Sequence, residues 1–333
     1  MTAPEALLHP TPAGLYCPPG GFHVDPVRAV DRAVITHGHS DHARPGHGAV
    51  LATAETLAIA RQRLGDMAGE ALAYGERRRI GEVEVRLVPA GHVLGSAQVV
   101  LEWRGRRIVV SGDYKRSPDP TCPPFEPVDC DVFVTEATFG LPVFHHPPAE
   151  AEIARLLHSV ALFPERCHLV GAYTLGKAQR VIALLRRAGY HKPIWLHGAM
   201  VAMCQLYQDL GVDLGDLRPV AEADKAADFA GEIVLAPPSE LSERWARRFG
   251  DPVTAMASGW MAIRARARQR GAELPLVISD HADWDELTRT IAELPSAAIW
   301  VTHGREEALV RHCLLEGRQA KALALVGYED ENE

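Results

Sequence analysis

The chain lacks the marks of several protein classes. It holds no run of about eighteen apolar residues. Its start, MTAPEALLHPTPAGLY, has no basic segment leading into an apolar one. Neither a membrane span nor a secretory signal is expected. The six cysteines (17, 122, 130, 167, 204 and 313) are scattered and form no C-x-x-C pair. That speaks against a disulfide scaffold or a cysteine zinc finger and fits a reduced cytoplasm. There is no internal repeat and no low-complexity tract. Positive charge is in deficit, with a formal net charge of −8, which argues against coating nucleic acid through bulk charge. Local basic runs remain at Arg244, Arg247 and Arg248 and at Arg264, Arg266, Arg268 and Arg270. Arginines at spacing two spread around a helix, so a solvated face is the simpler reading.

What is present suffices for a real core. At 333 residues and 47% hydrophobic, the chain is long enough for one large or two ordinary domains. Short β-like runs dominate the first 135 or so positions (GFHVD, RAVIT, AVLAT, EVEVRLVPA, AQVVLEW, RRIVVSG, DVFVTEA), separated by glycine, proline and charged turns and interrupted by a helical pattern over Ala54–Leu64. From about residue 147 the texture alternates. PAEAEIARLLHSVALF reads as an amphipathic helix, CHLVGAY as a strand running into the helix of TLGKAQRVIALLRRAG, and KPIWLHG and EIVLAPP as further strands. PLVISD, a helix from Trp284, and AAIWVTHG then return to short strands. The pattern predicts a β-rich α/β domain built from both ends of the chain, residues 1–145 and 275–333, with a second α/β unit, 146–274, inserted between. The crossing points fall in HHPP (145–148) and RGAELP (270–275), and the acidic tail EDENE is expected to fray.

The stretch VITHGHSDHARPGHG (34–48) crowds four histidines and an aspartate into fifteen positions. His37, His39, Asp41 and His42 form H-x-H-x-D-H directly after an apolar run. In an extended loop residues i and i+2 point the same way, so His37 and His39 can reach one cation while Asp41 and His42 turn toward a neighbour. Imidazole with carboxylate suits zinc, or manganese and iron when oxygen ligands join. Without a metal such a group is costly to bury. His47 falls outside the spacing, and nine further histidines sit in no motif. Two more apolar runs end in suitable residues, His92 in VPAGHVLGSAQ and Asp113 in IVVSGDYK. A carboxylate between two cations can bridge them.

In this order the residues resemble the ligand series of the metallo-β-lactamase superfamily. The resemblance implies an αββα sandwich, two β-sheets between helices, with the site at one edge. It implies two divalent metal ions. His37, His39 and His92 would bind one, Asp41, His42 and His303 the other, with Asp113 bridging. Asp25, closing GFHVD, matches an aspartate that orients a ligand or is a turn carboxylate. Glu136 in VFVTEATFG, then after a long insertion His281 in VISDHADW and His303 in WVTHGREE, resemble the three motifs of the β-CASP nucleases. By that resemblance His281, paired with Glu136, would protonate the leaving oxygen, and Asp41 or Asp113 would accept a proton from water. GAYTLGKAQR resembles a stretch in which a helix start and a basic residue face phosphate, which would make Thr174 and Lys177 phosphate-binding. MASGWM, with Gly259, resembles a glycine–tryptophan turn of the DNA-acting branch, although Trp260 is equally readable as core. GLYCPPGGFHVDP, THGHSDHARPGH, AGHVLGSAQ and SDHADW are similar to bacterial DNA-ligase-associated exonucleases along nearly the whole chain.

That resemblance implies a metal-dependent DNA exonuclease acting from a 5′ end in repair. DNA would be its partner, a DNA ligase and a helicase its functional associates, and the cytoplasm its location. An RNA-processing nuclease of the same fold is the first alternative, distinguishable through the 2′-hydroxyl. A small-molecule thioester hydrolase would lack the insertion, Glu136 and His281. A non-catalytic metal module would not need a complete ligand set.

Overall fold

The structure, a computed structural model, describes residues 3–223, 229–323 and 325; the tail EDENE lies outside the described residues. Two compact units emerge, one made of residues 1–145 with 281–333 and the other of residues 146–280. In the first unit β1 (His9–Thr11), β2 (Gly14–Cys17), β3 (Phe22–Val24), β4 (Arg32–Val34), β5 (Ala49–Ala52) and β6 (Gly69–Ala71) pair in chain order as a six-stranded sheet. The strands from β3 onward are parallel. Between β5 and β6 runs α1 (Ala54–Leu64), started by Thr53, whose hydroxyl accepts from Thr56 N. A second sheet begins with the antiparallel meander β7 (Arg77–Ile80), β8 (Val83–Pro89), β9 (Ala97–Trp103) and β10 (Arg106–Val110). β11 (Val132–Ala137) then pairs parallel to β10.

The second unit has its own all-parallel sheet. Its strands are β12 (His168–Gly171), β13 (Ile194–Leu196), β14 (Leu217–Pro219), β15 (Ile233–Ala236), β16 (Val253–Ala257) and β17 (Leu274–Leu276), in the order β14-β13-β15-β12-β16-β17. The helices α2 (Ala149–Leu162), α3 (Lys177–Arg187), α4 (Gly198–Asp209) and α5 (Arg264–Gln269) belong to it. The second crossing point differs from the one expected at 274/275 and falls at 280/281. Leu274–Leu276 pairs with β16, and Val277 N donates to the buried Glu152 of α2 (2.8 Å), so this segment stays with the inserted sheet.

The chain then returns to the first unit with α6 (Trp284–Ala292), β18 (Ala298–Gly304), α7 (Glu306–Leu315) and β19 (Ala320–Ala322), β18 lying parallel to β11. Val34 and Leu51 of the first sheet pack against Val85, Leu87, Val99, Leu101 and Val110 of the second in one buried cluster. The outer face of the second sheet (Val88, Val100, Val109, Phe133, Ile299, Val301) covers Leu287 and Ile291 of α6 and Leu309 of α7. The outer face of the first sheet (Ala33, Ile35, Val50, Ala52) covers Leu57 and Ala60 of α1. The unit is therefore a helix–sheet–sheet–helix sandwich, as alternation of inward and outward apolar residues dictates.

Its α6 is tied to the second sheet by a buried ion pair. Lys115 Nζ lies 3.0 Å from Glu286, which also accepts from Ser117 N (2.7 Å). Burial would raise the Glu286 pKa, but the Lys115 charge and the Ser117 bond outweigh it and hold the carboxyl below its ordinary value. Glu286→Ala breaks this buried pair, and about 3–5 kcal/mol of stability should be lost in denaturant unfolding. A depressed folded pKa stabilises above the unfolded value, about 4.3, and that contribution disappears as pH falls through the folded one. Acid should therefore narrow the gap between wild type and variant.

Candidate metal centre

Strand directions bring the polar residues to one edge of the sandwich. β10, β11 and β18 are mutually parallel, and β8 is separated from β10 by two antiparallel pairings, so all four end on the same side. His92 follows β8, Asp113 follows β10, Glu136 closes β11 and His303 closes β18. The loop after β4 adds His37, His39, Asp41 and His42. Gly112, at φ 57°, makes room for it, since a Cβ there would lie 2.7 Å from Thr36 Cβ.

Two groups of donors share one carboxylate. In the first, His39 Nδ1 lies 3.1 Å from His37 Nε2 and 3.0 Å from His92 Nε2, and Asp113 Oδ2 is 3.4 Å from His37 and 3.7 Å from His92. In the second, His42 Nε2 is 3.4 Å from both Asp41 Oδ2 and Asp113 Oδ2, while Asp113 Oδ1 is 3.1 Å from His303 Nε2. His39 Nδ1 offers one lone pair or one proton and cannot serve two ring nitrogens at once, whereas a cation among them satisfies all three. Asp41 Oδ1 is buried without a hydrogen-bond partner among the described residues. The residues thus fit divalent ions in two places joined by Asp113.

Electrostatics agree with that fit. Burial, followed by the His42 charge, pushes the His37 pKa well below its usual value, so His37 is the neutral base that a cation needs. Burial acts the same way on His42, but Asp113, Asp41 and Asp25 override it and raise that pKa well above the ordinary one. His303 is raised against burial by its bond to Asp113. Burial would raise the Asp113 pKa, yet His42 and His37 hold it well below. The raised values at His42 and His303 lie beside the carboxylate that the two donor groups share.

A second layer of contacts aims these donors. His42 Nδ1 donates to Asp25 Oδ2 (2.7 Å), which leaves Nε2 to face Asp41 and Asp113. Asp25 also accepts from Thr36 N (2.8 Å) and Thr36 Oγ1 (2.6 Å), so its carboxylate is more than a turn residue. Thr36 Oγ1 lies 3.1 Å from His37 Nδ1, and Thr302 Oγ1 lies 2.8 Å from His303 Nδ1. The two threonines escaped the reading of the sequence. The signal was there, in the repeated Thr-His at strand ends of VITHG and VTHG. Asp25→Asn keeps the shape and removes the charge behind His42. Metal affinity should fall about 10–100-fold with the fold retained, as measured by competition with a chelating dye.

Beside the donors stand a carboxylate and an imidazole in contact, Glu136 and His281. Glu136 is 1% exposed; its Oε1 accepts from Tyr114 N (2.8 Å) and its Oε2 lies 3.0 Å from His281 Nδ1. Fixed in this way, the carboxylate orients the ring. His281 Nδ1 is 4.0 Å from Asp113 Oδ2, so the pair adjoins the donor groups.

The expected phosphate-binding residues behave differently. Lys177 is 1% exposed, with Nζ 2.5 Å from Asp280 Oδ1 within the second unit, and its charge is already matched. At the start of α3, Gly176 N donates to Gln179 Oε1 (2.8 Å), Lys177 N to Leu175 O (3.1 Å) and Ala178 N to Tyr173 O (3.0 Å). Three N–H groups at this helix start are thus engaged within the chain. Thr174 is half-buried and its carbonyl accepts from Gln179 Nε2 (2.9 Å). Gly259 is buried in the short 3-10 turn Gly259–Ala262, where it offers no surface.

Sandwich and donor series together define a metallo-β-lactamase fold with an inserted β-CASP unit. The relatives of the chain fit the β-CASP branch of that superfamily. No family model matches the chain. In an alignment of 307 positions, gaps included, that covers 87% of the chain, it is 29% identical to part of a probable DNA ligase of Opitutus terrae, covering 28% of that protein. An alignment of 281 positions, gaps included, that covers 68% of the chain is 28% identical to endoribonuclease ysh-1 of Neurospora crassa and covers 33% of it. The Arabidopsis thaliana cleavage and polyadenylation specificity factor subunit 3-I is 23% identical in an alignment of 389 positions, gaps included, that covers 91% of this chain and 55% of that protein. The chain thus spans a third or less of the first two relatives and about half of the third. Among solved structures, a protein of unknown function from Enterococcus faecalis V583 shares the fold, with TM-score 0.59 at 14% identity over 90% of this chain and 80% of that one. No helix among the described residues is long and apolar enough to cross a membrane.

Proposed function

We propose that the chain is a two-metal nuclease that hydrolyses DNA phosphodiesters, working from the 5′ end of a strand. The observation that carries this reading is one carboxylate, Asp113, reaching into two donor groups beside the Glu136–His281 pair. His37, His39, His92 and Asp113 would hold one ion, and Asp41, His42, His303 and Asp113 the other, with zinc or manganese as the metal. When bound, the ions neutralise phosphate charge and lower the pKa of water from 15.7 toward about 7. Asp41, with its buried Oδ1, is the acceptor for a proton leaving water. The departing sugar oxygen is a poor leaving group and takes a proton from His281. Because Nδ1 is held by Glu136, Nε2 delivers it, and the Glu136 carboxylate stabilises the imidazolium.

DNA is favoured by the similarity, along most of the chain, to part of a protein named as a probable DNA ligase. A DNA ligase, and a helicase with it, would be the functional associates. A second reading, an RNA-processing nuclease, is favoured by the relative named as an endoribonuclease. Matched DNA and RNA strands, labelled separately at each end and incubated with zinc, manganese or magnesium, decide between them. DNA should shorten with early release of the 5′ label. Stepwise 3′ loss from a 5′-blocked strand overturns the polarity, and cleavage of RNA alone transfers the site to the second reading.

A further inference from the structure

The arginine run of the inserted unit has no part in the metal centre. In RARARQR (264–270) no residue is acidic, although the chain holds 43 acidic residues against 35 lysines and arginines. Arg264, Arg266 and Arg268 lie on α5, and Arg270 caps its end. Arg266 is half-buried, its guanidinium 3.9 Å over the Trp260 ring, which anchors the helix to the turn before it. Arg264, Arg268 and Arg270 are exposed. Arg264 and Arg268, four apart, share a helix face, where like charges repel.

Several exposed arginines elsewhere in this acidic chain are matched, and what sets α5 apart is three unpaired ones within seven positions. Arg77 pairs with Glu84, Arg104 with Glu82 (3.2 Å) and Arg218 with Asp216 (2.8 Å). Arg166 joins Glu273 (2.9 Å), close in sequence to α5. Arg264, Arg268 and Arg270 have no carboxylate within ion-pair distance among the described residues. An ordinary solvated face mixes signs; a face of one sign, unpaired in a chain of net charge −8, is complementary to a polyanion.

We infer that Arg264, Arg268 and Arg270 form a docking surface for the phosphate backbone of a DNA strand. The choice of DNA rests on the nuclease reading of the metal centre; the surface itself rests on its unpaired charge. Such contacts position a strand without reading its sequence, so binding should depend on salt and not on base order.

The test is binding of a fluorescent single-stranded oligonucleotide to the full chain in EDTA, over a salt series. For single strands the slope of log K against log salt is about −0.7 per phosphate contact. The triple variant R264A/R268A/R270A should be shallower than wild type by about 2, and the single variants R264Q and R268Q each by about 0.7, which keeps the test open if the triple fails to fold. A control triple, R77A/R104A/R218A, removes the same charge from paired positions and should keep the wild-type slope. An unchanged slope in the α5 variants overturns the surface, as does an equal loss in the control. Hydrolysis of bis(4-nitrophenyl) phosphate by wild type with manganese reads the metal centre separately. Hydrolysis with an unchanged slope defeats the surface alone. A changed slope without hydrolysis supports the surface and defeats the nuclease reading alone.

Discussion

Asp113→Ala is expected to abolish metal-dependent hydrolysis and to release both ions. Its two oxygens face different neighbours, Oδ2 toward His37, His42 and His92 and Oδ1 toward His303. Each donor group loses a ligand, and the link between them goes. Without the ions water returns to its bulk pKa of about 15.7, and no side chain here makes hydroxide at neutral pH. The variant also leaves His42 and His303 without the carboxylate that raises their pKa values, so the empty site has less charge to hold together. Elemental analysis should find close to no metal, and end-labelled DNA should stay intact. Two ions per chain with near-wild-type turnover would sink the assignment. His303→Ala is the graded comparison: it touches one group only, so the ion among His37, His39 and His92 should remain.

That these side chains come together was legible because their pattern is written locally. Four residues of H-x-H-x-D-H lie in one loop, and His92, Asp113 and His303 each end an apolar run, so parallel strand ends suffice to gather them. What depends on distant partners was not legible. The stretch around Lys177 shows neither its pairing with Asp280, 103 positions away, nor the return of Gln179 onto Gly176. Thr36 and Thr302 act through single hydroxyls, which carry no spacing of their own. β7, Arg77–Ile80, was missed because an edge strand guarded by arginines shows no apolar alternation. The second crossing point was set early because proline and glycine in RGAELP look like a linker, while pairing of Leu274–Leu276 with β16 is a long-range fact.

His281→Ala separates proton delivery from metal holding. Counted by position, His37, His39, His92 and Asp113 would supply four donors to one ion, and Asp41, His42, His303 and Asp113 four to the other. His281 stands beyond that set. Its Nδ1 is 3.0 Å from Glu136 Oε2, closer than the 4.0 Å to Asp113 Oδ2. Glu136 is also held by Tyr114 N, so the carboxylate does not swing toward the donors. Removing the imidazole therefore takes away a proton source and leaves the ligands in place. The chemical step should slow about 10²–10⁴-fold, the usual contribution of one general acid, in single-turnover cleavage of end-labelled DNA. Metal content should match wild type, whereas His303→Ala should lose an ion. A better leaving group needs less protonation, so a 4-nitrophenyl phosphodiester should suffer a much smaller loss from His281→Ala than DNA does. Equal losses on both substrates, or departure of a metal ion from His281→Ala, would move this histidine from acid to ligand.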